Sequence, residues 1–162
     1  MQPDMFPTVP AKAPKPYSIP AYRIQPVRER ALPWDRAQLR SSQDVARLFR
    51  TYLGDTNREH FLVAMLDQKN KVIGIHTVST GSLTASVVHP REVYKPAILS
   101  NAAAIICGHN HPSGAPQPSQ EDRPLTVRLA QGGKLLGISV LDHVIIGDGT
   151  ESYFSFADEG LL

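Results

Sequence analysis

Two histidines and an aspartate form the most chemically specific pattern in the chain. His109 and His111 stand two positions apart at the end of an apolar run, NAAAIICG, and Asp122 follows eleven residues after His111. Side chains at i and i+2 of an extended backbone share one face, so both imidazoles can reach one ion. Ser119-x-x-Asp122 has the spacing of a helix N-cap with an acidic third residue. Asp122 is therefore expected at a helix head, where free amides and the helix dipole favour a carboxylate. Two nitrogens and one carboxylate make three ligands, and in zinc chemistry such a set leaves a fourth position for water, as catalytic sites do. Between them, Pro112, Ser113 and Gly114 supply a tight turn that folds the helix mouth back toward the histidines. An H-x-H pair by itself describes hydrogen-bonded or surface histidines at least as well.

The single cysteine, Cys107, excludes an internal disulfide and a multi-thiolate zinc site, so a metal here must be held by His, Asp or Glu. Cys107 itself reads as a small apolar core residue. Ser113 has no base and orienting partner of its own and is read as loop-shaping, not as a nucleophile.

These side chains need elements to hold them. In SSQDVARLFRTYLG, Val45, Leu48, Phe49, Tyr52 and Leu53 recur at helical spacing, with Ser41 or Ser42 as cap and Gly54 as stop. The period then changes. EHFLVAMLD (59–67), a Gln68-Lys69-Asn70 turn and KVIGIHTVST (71–80) read as a β-hairpin, and LTASVVH (83–89) as a third strand. Pro90 suits the start of a helix that Pro96 should kink or restart. Residues 101–108 read as a buried strand, 109–122 as a loop, and a helix from Ser119 should end at Gly132-Gly133, with Pro124 awkward inside it. LGISVLDHVIIGDG (136–149) completes the pattern as a long last strand. Helices alternating with strands predict an α/β or α+β domain layered on one sheet.

The joint pattern H-x-H-P-x6-S-x2-D, carried by His109, His111, Pro112, Ser119 and Asp122, resembles the JAMM signature of the JAB/MPN metalloprotease superfamily. Within it, HNHPSG (109–114), PREVYK (90–95) and LDHVIIG (141–147) resemble the RadC family. The resemblance covers about residues 41–162. It implies an MPN/JAB-like three-layer domain, a mixed sheet flanked by helices in a cytidine-deaminase-like arrangement. It also implies one zinc ion per chain on His109, His111 and Asp122, and hydrolysis of a peptide or isopeptide bond by a metal-activated water. The superfamily pattern further asks for an upstream glutamate as base. Glu59, opening the first strand, fits that position better than it fits an ordinary exposed strand-start carboxylate, and Glu92, in the helix beside Pro90, is the runner-up. Ser119 would bind the developing oxyanion or simply cap its helix. His143 reads either as a residue orienting a ligand from behind or as a satisfied interior histidine.

The 162 residues suit one domain with a tail, and no run approaches the ~18 apolar residues of a transmembrane helix. With no signal sequence apparent, a cytoplasmic protein is expected. The formal charge of +2 is uneven. Residues 1–40 hold eight of the fourteen prolines and a net +4, from seven Lys/Arg against Asp4, Glu29 and Asp35; the rest carries ten basic and twelve acidic residues, a net −2. The chain thus divides into a Pro-rich basic arm or linker (1–40) and a RadC-like domain (41–162). The resemblance implies a short form, with the arm where longer RadC proteins carry a helix-hairpin-helix region. A peptide or protein-conjugate substrate is expected. A nucleic-acid or DNA-repair association, which the RadC label suggests, gains little from a domain of net −2, because phosphate binding needs clustered Lys/Arg. An inactive scaffold would have lost ligands, and all are present. Oligomeric state and substrate identity have no signature in the sequence.

Overall fold

The computed structural model describes residues 18–35, 38–81 and 88–162. Helix α1 (Ser42–Leu53) opens on Ser41, whose hydroxyl accepts the Asp44 amide at 3.2 Å, and closes at Gly54. Strands β1 (His60–Leu66) and β2 (Val72–Thr80) form an antiparallel hairpin. Its turn is tied by Asp67, whose carboxylate accepts the amides of Lys69 and Lys71 at 2.8 and 2.9 Å. The third strand read at 83–89 falls mostly outside the described residues; of its last two positions, Val88 lies in a bend and His89 caps the next helix.

Helix α2 (Pro90–Leu99) runs through Pro96 without interruption, contrary to the expected kink or restart. Pro96 forfeits one bond, to the Glu92 carbonyl. Burial of Val93, Tyr94 and Ala97 offsets that loss, tertiary packing overriding local propensity. Strand β3 (Ala104–His111) lies three residues later than expected and carries both histidines inside the sheet instead of in a loop.

Helix α3 (Asp122–Leu136) starts three residues later than Ser119 and ends four residues beyond Gly132, on Gly137. The late start resolves Pro124, which becomes the third helical residue, where an amide has no helical partner to lose. The glycines do not stop the helix because they serve its packing. A Cβ on Gly133 would collide with the Tyr94 hydroxyl and the Ile138 carbonyl. That hydroxyl donates to the Leu129 carbonyl at 2.7 Å, locking α2 to α3. Strand β4 (Ser139–Gly147) is shorter than read, and β5 (Tyr153–Ser155) lies in what reads as a tail.

The five strands form one mixed sheet in the order β2-β1-β3-β4-β5, in which only β3 and β4 are parallel, joined through the crossover helix α3. Alternate residues of β1 face opposite layers. Leu62, Ala64 and Leu66 pack with Val45, Leu48 and Phe49 of α1; Phe61, Val63 and Met65 pack with Val93, Tyr94, Leu125 and Leu129 of α2 and α3. The architecture is therefore the three-layer mixed-sheet α+β domain expected from the sequence. Leu39 is buried in the α1-side core, with Leu32 and Trp34 packed against it, whereas residues 18–31 contain no helix or strand. Among the described residues no helix is long and apolar enough to cross a membrane.

Candidate metal centre

The site forms where β3 ends and α3 begins, the edge of a parallel strand pair at which α/β sheets commonly bind ligands. His109, His111 and Asp122 each place one ligand atom within 4.8 Å of the others. The two Nε2 atoms are 3.0 Å apart. Asp122 Oδ1 lies 3.4 Å from His109 Nε2, and Oδ2 lies 3.9 Å from His111 Nε2. In a tetrahedron with ~2.0–2.1 Å zinc bonds the ligand atoms stand about 3.4 Å apart, so the three are spaced for that ion. His109 and Asp122 are buried and His111 is half-buried, leaving one open side.

Each of the three side chains is held from behind. His111 Nδ1 lies 2.8 Å from the Ala115 carbonyl, which can only accept, so Nδ1 donates and Nε2 presents a lone pair to the site. Asp122 receives the Ser119 amide on Oδ2 at 2.6 Å. Burial pushes the Asp122 carboxyl up, but the hydrogen bond and charge of His109, with Ser119, outweigh it and hold the group well below the usual carboxylate range. His109 stacks on Phe61 at 6.0 Å, and its Nδ1 lies 2.9 Å from His143 Nε2. His143 is fully buried and meets Thr126 Oγ1 through Nδ1 at 2.6 Å. The Cys107 thiol is buried among apolar side chains on this face, where burial and Asp142 push it up to about 12.

Between the two histidines, Asn110 faces the other side and is fully buried. Its amide nitrogen donates to the Arg58 carbonyl at 2.8 Å and to Asp148 Oδ2 at 2.7 Å, and its oxygen accepts the His60 amide at 2.7 Å. These bonds bracket Glu59 on both sides along the chain. The loop after His111 closes with the Gly114 amide on the His111 carbonyl at 3.0 Å. Gly114 has φ +81 and a Cβ there would press on the Asp148 carbonyl at 3.1 Å, so only glycine fits. Ser113 accepts the Ala115 amide at 3.4 Å, a loop-shaping contact.

Glu59 directly precedes β1 and is half-buried, and the Gly81 amide holds its carbonyl at 2.8 Å. The β1–β3 ladder ends at Phe61 paired with His109, so Glu59 stands two residues beyond the last pair, at the same end of the sheet as His111. Glu92 lies elsewhere. It is bound by Lys95 at 2.6 Å and, with Met65, Gly74 and His76, lines a groove of about 1020 Å³ that none of the three ligands reaches. Ser119 is exposed at the mouth, touching Asp122, but it is not the helix cap; Glu121 occupies that position and makes no capping bond. Neither Asn110 nor Thr126 carries a residue-type or spacing signal of its own. The position of Asn110 inside H-x-H and of Thr126 one helical turn after Asp122 were the only signals available.

A family model described as the RadC-like JAB domain matches residues 39–161. A UPF0758 protein of Rubrobacter xylanophilus is 50% identical over 127 residues, 78% of this chain and 55% of the relative. One from Desulfitobacterium hafniense is 52% identical over 130 residues, covering 80% and 56%. One from Methanococcoides burtonii is 48% identical over 127 residues, covering 78% and 55%. The chain spans about half the length of the curated relatives it matches.

Proposed function

The chain belongs to the RadC-like JAB domain family, and from that membership we propose that it is a zinc-dependent hydrolase of amide bonds, peptide or isopeptide. One observation carries the reading: two imidazole nitrogens and a carboxylate converge at zinc spacing with one side open. A zinc ion held by His109, His111 and Asp122 would supply Lewis acidity and lower the pKa of a water from ~15.7 toward ~7.

The remaining work falls to the chain's own side chains. Glu59, just before the strand whose Phe61 pairs with His109, takes the proton from the attacking water and delivers it to the leaving amine. The hydroxyl of Ser119, an exposed residue whose amide is bound to Asp122, donates to the carbonyl oxygen as charge develops on it. Asn110 holds the backbone on either side of Glu59, so the base is presented from a fixed strand end. A polypeptide or protein conjugate is the substrate class that suits this chemistry.

The decisive measurement is metal analysis of the purified chain with Glu59→Gln, His109→Ala and His111→Ala alongside. One zinc per chain is expected in wild type and in Glu59→Gln, which loses hydrolysis, and none in the histidine variants. A wild type purified without chelators that carries no stoichiometric zinc overturns the assignment. The net +4 of residues 1–40 favours a second reading, an accessory role on nucleic acid. Deleting residues 1–31 should then abolish any DNA affinity and its salt dependence.

A further inference from the structure

Behind the metal-centre residues lies a hydrogen-bond chain whose direction can be worked out atom by atom. Thr126 Oγ1 donates to the Asp122 backbone carbonyl at 2.7 Å, one turn back along α3. Its single proton is thereby committed, so at its 2.6 Å contact with His143 Nδ1 it can only accept, and His143 carries its proton on Nδ1. His143 Nε2 then holds a lone pair and accepts from His109 Nδ1–H at 2.9 Å. Nε2, the atom of His109 that faces His111 and Asp122, is then the nitrogen left for a metal. The opposite direction would make Nδ1 the acceptor and commit the ring's proton to Nε2, in the place of the metal.

We propose that His143 and Thr126 are positioning residues of this site, forming a chain Thr126–His143–His109 that selects the ligating nitrogen of His109 and ties strand β3 to helix α3. The inference rests on the metal-centre reading above. Three further observations support it. His143 is clamped, stacked on Phe156 at 5.0 Å and edge-on to Phe61 at 5.4 Å, so its ring cannot turn over. It reaches this face only through a bulge: Ile105 pairs with Val140 but Ile106 with Asp142, so Val140 and His143, three apart, share a side. The neighbouring Asp142 carboxylate is spent elsewhere, accepting the Ser155 hydroxyl at 2.6 Å and the Ala157 amide at 3.0 Å. The usual outer partner of a ligand histidine is a carboxylate, carbonyl or water. Here a neutral imidazole takes that role and hands the bond on to the helix that carries the third ligand.

Zinc affinity of the full chain, measured by competition with a chromophoric chelator, tests the chain alongside nitrogen-15 histidine spectra of the metal-free protein. Thr126→Val and His143→Gln should each weaken zinc binding roughly 10–100-fold. Thr126→Ser should restore it, and Ser155→Ala, an equally buried hydroxyl outside the chain, should leave it unchanged. The spectra should show Nδ1 protonated and Nε2 bare on His143, and Nδ1 protonated on His109, a pattern lost in Thr126→Val. A folded Thr126→Val that binds zinc as wild type does, or a wild-type His143 protonated on Nε2, overturns the proposal. If His143→Gln does not fold, Thr126→Val and the spectra decide. A wild type that takes up no zinc counts against the metal centre itself, and the metal-free spectra still decide the direction of the chain.

Discussion

Asn110 spends both amide protons and its oxygen on two different segments, Arg58 and His60 on either side of Glu59 and Asp148 after β4. Asn110→Ala strands buried groups, so a loss of about 2–4 kcal/mol is expected, read from urea unfolding. Asn110→Asp should cost more, because it removes both donors and sets a carboxylate against Asp148. If Asn110→Asp is as stable as wild type at neutral pH, the bracket around Glu59 is not what holds that strand end. The residue scale is also where the sequence was most and least legible. His109, His111 and Asp122 could be read from residue types and spacing because all three sit on one short stretch. Asn110, Thr126 and the part played by His143 could not, because each acts across strands or helices that only the fold brings together.

The same contrast runs through the elements. Helix α1 was readable because one-sided burial imposes its period of 3.6 on the residue order, and the β1–β2 hairpin because an apolar run buried on both faces and a β-branched one flank a short polar turn. The limits of α3 were not, since Gly132 and Gly133 look like a stop until Tyr94 is placed over them. Their positions predict opposite signs. Gly133→Ala must push against the Tyr94 hydroxyl and the Ile138 carbonyl and should cost about 1–3 kcal/mol. Gly132→Ala meets Tyr94 at an ordinary 3.4 Å and should gain roughly 0.5–1 kcal/mol by stiffening the helix. Thermal melts of the two variants check this, and Tyr94→Phe in the Gly133→Ala background should recover part of the loss. The bulge in β4 was hidden for a related reason: strict alternation along LDHVIIG gives no hint that an extra residue reverses which side His143 faces.

For the molecule as a whole, acid stability follows from two of these groups. Burial, and then the charge of His109, hold His143 well below the ordinary imidazole range. The unfolded imidazole takes a proton below ~6.5 that the folded one refuses, so metal-free stability should fall with acidification by up to about 1.4 kcal/mol per pH unit. Asp122, held low in the folded state, keeps its contribution above ~4 and loses it as pH falls further. Urea midpoints from pH 7.5 to 3.5 in chelator should decline from 6.5 downward and steepen below 4, with His143→Gln removing the upper phase. A flat midpoint between pH 7.5 and 5 contradicts the buried neutral imidazole. The three candidate ligands also share residues 109–122, a segment short enough for an unfolded chain to close around an ion without its distant parts. Zinc should therefore retain a measurable grip on the denatured polypeptide, and a peptide of residues 104–136 should bind it weakly. Heat denaturation at rising zinc should then climb less than the native dissociation constant predicts, because ligand held by both states stabilises only by the difference.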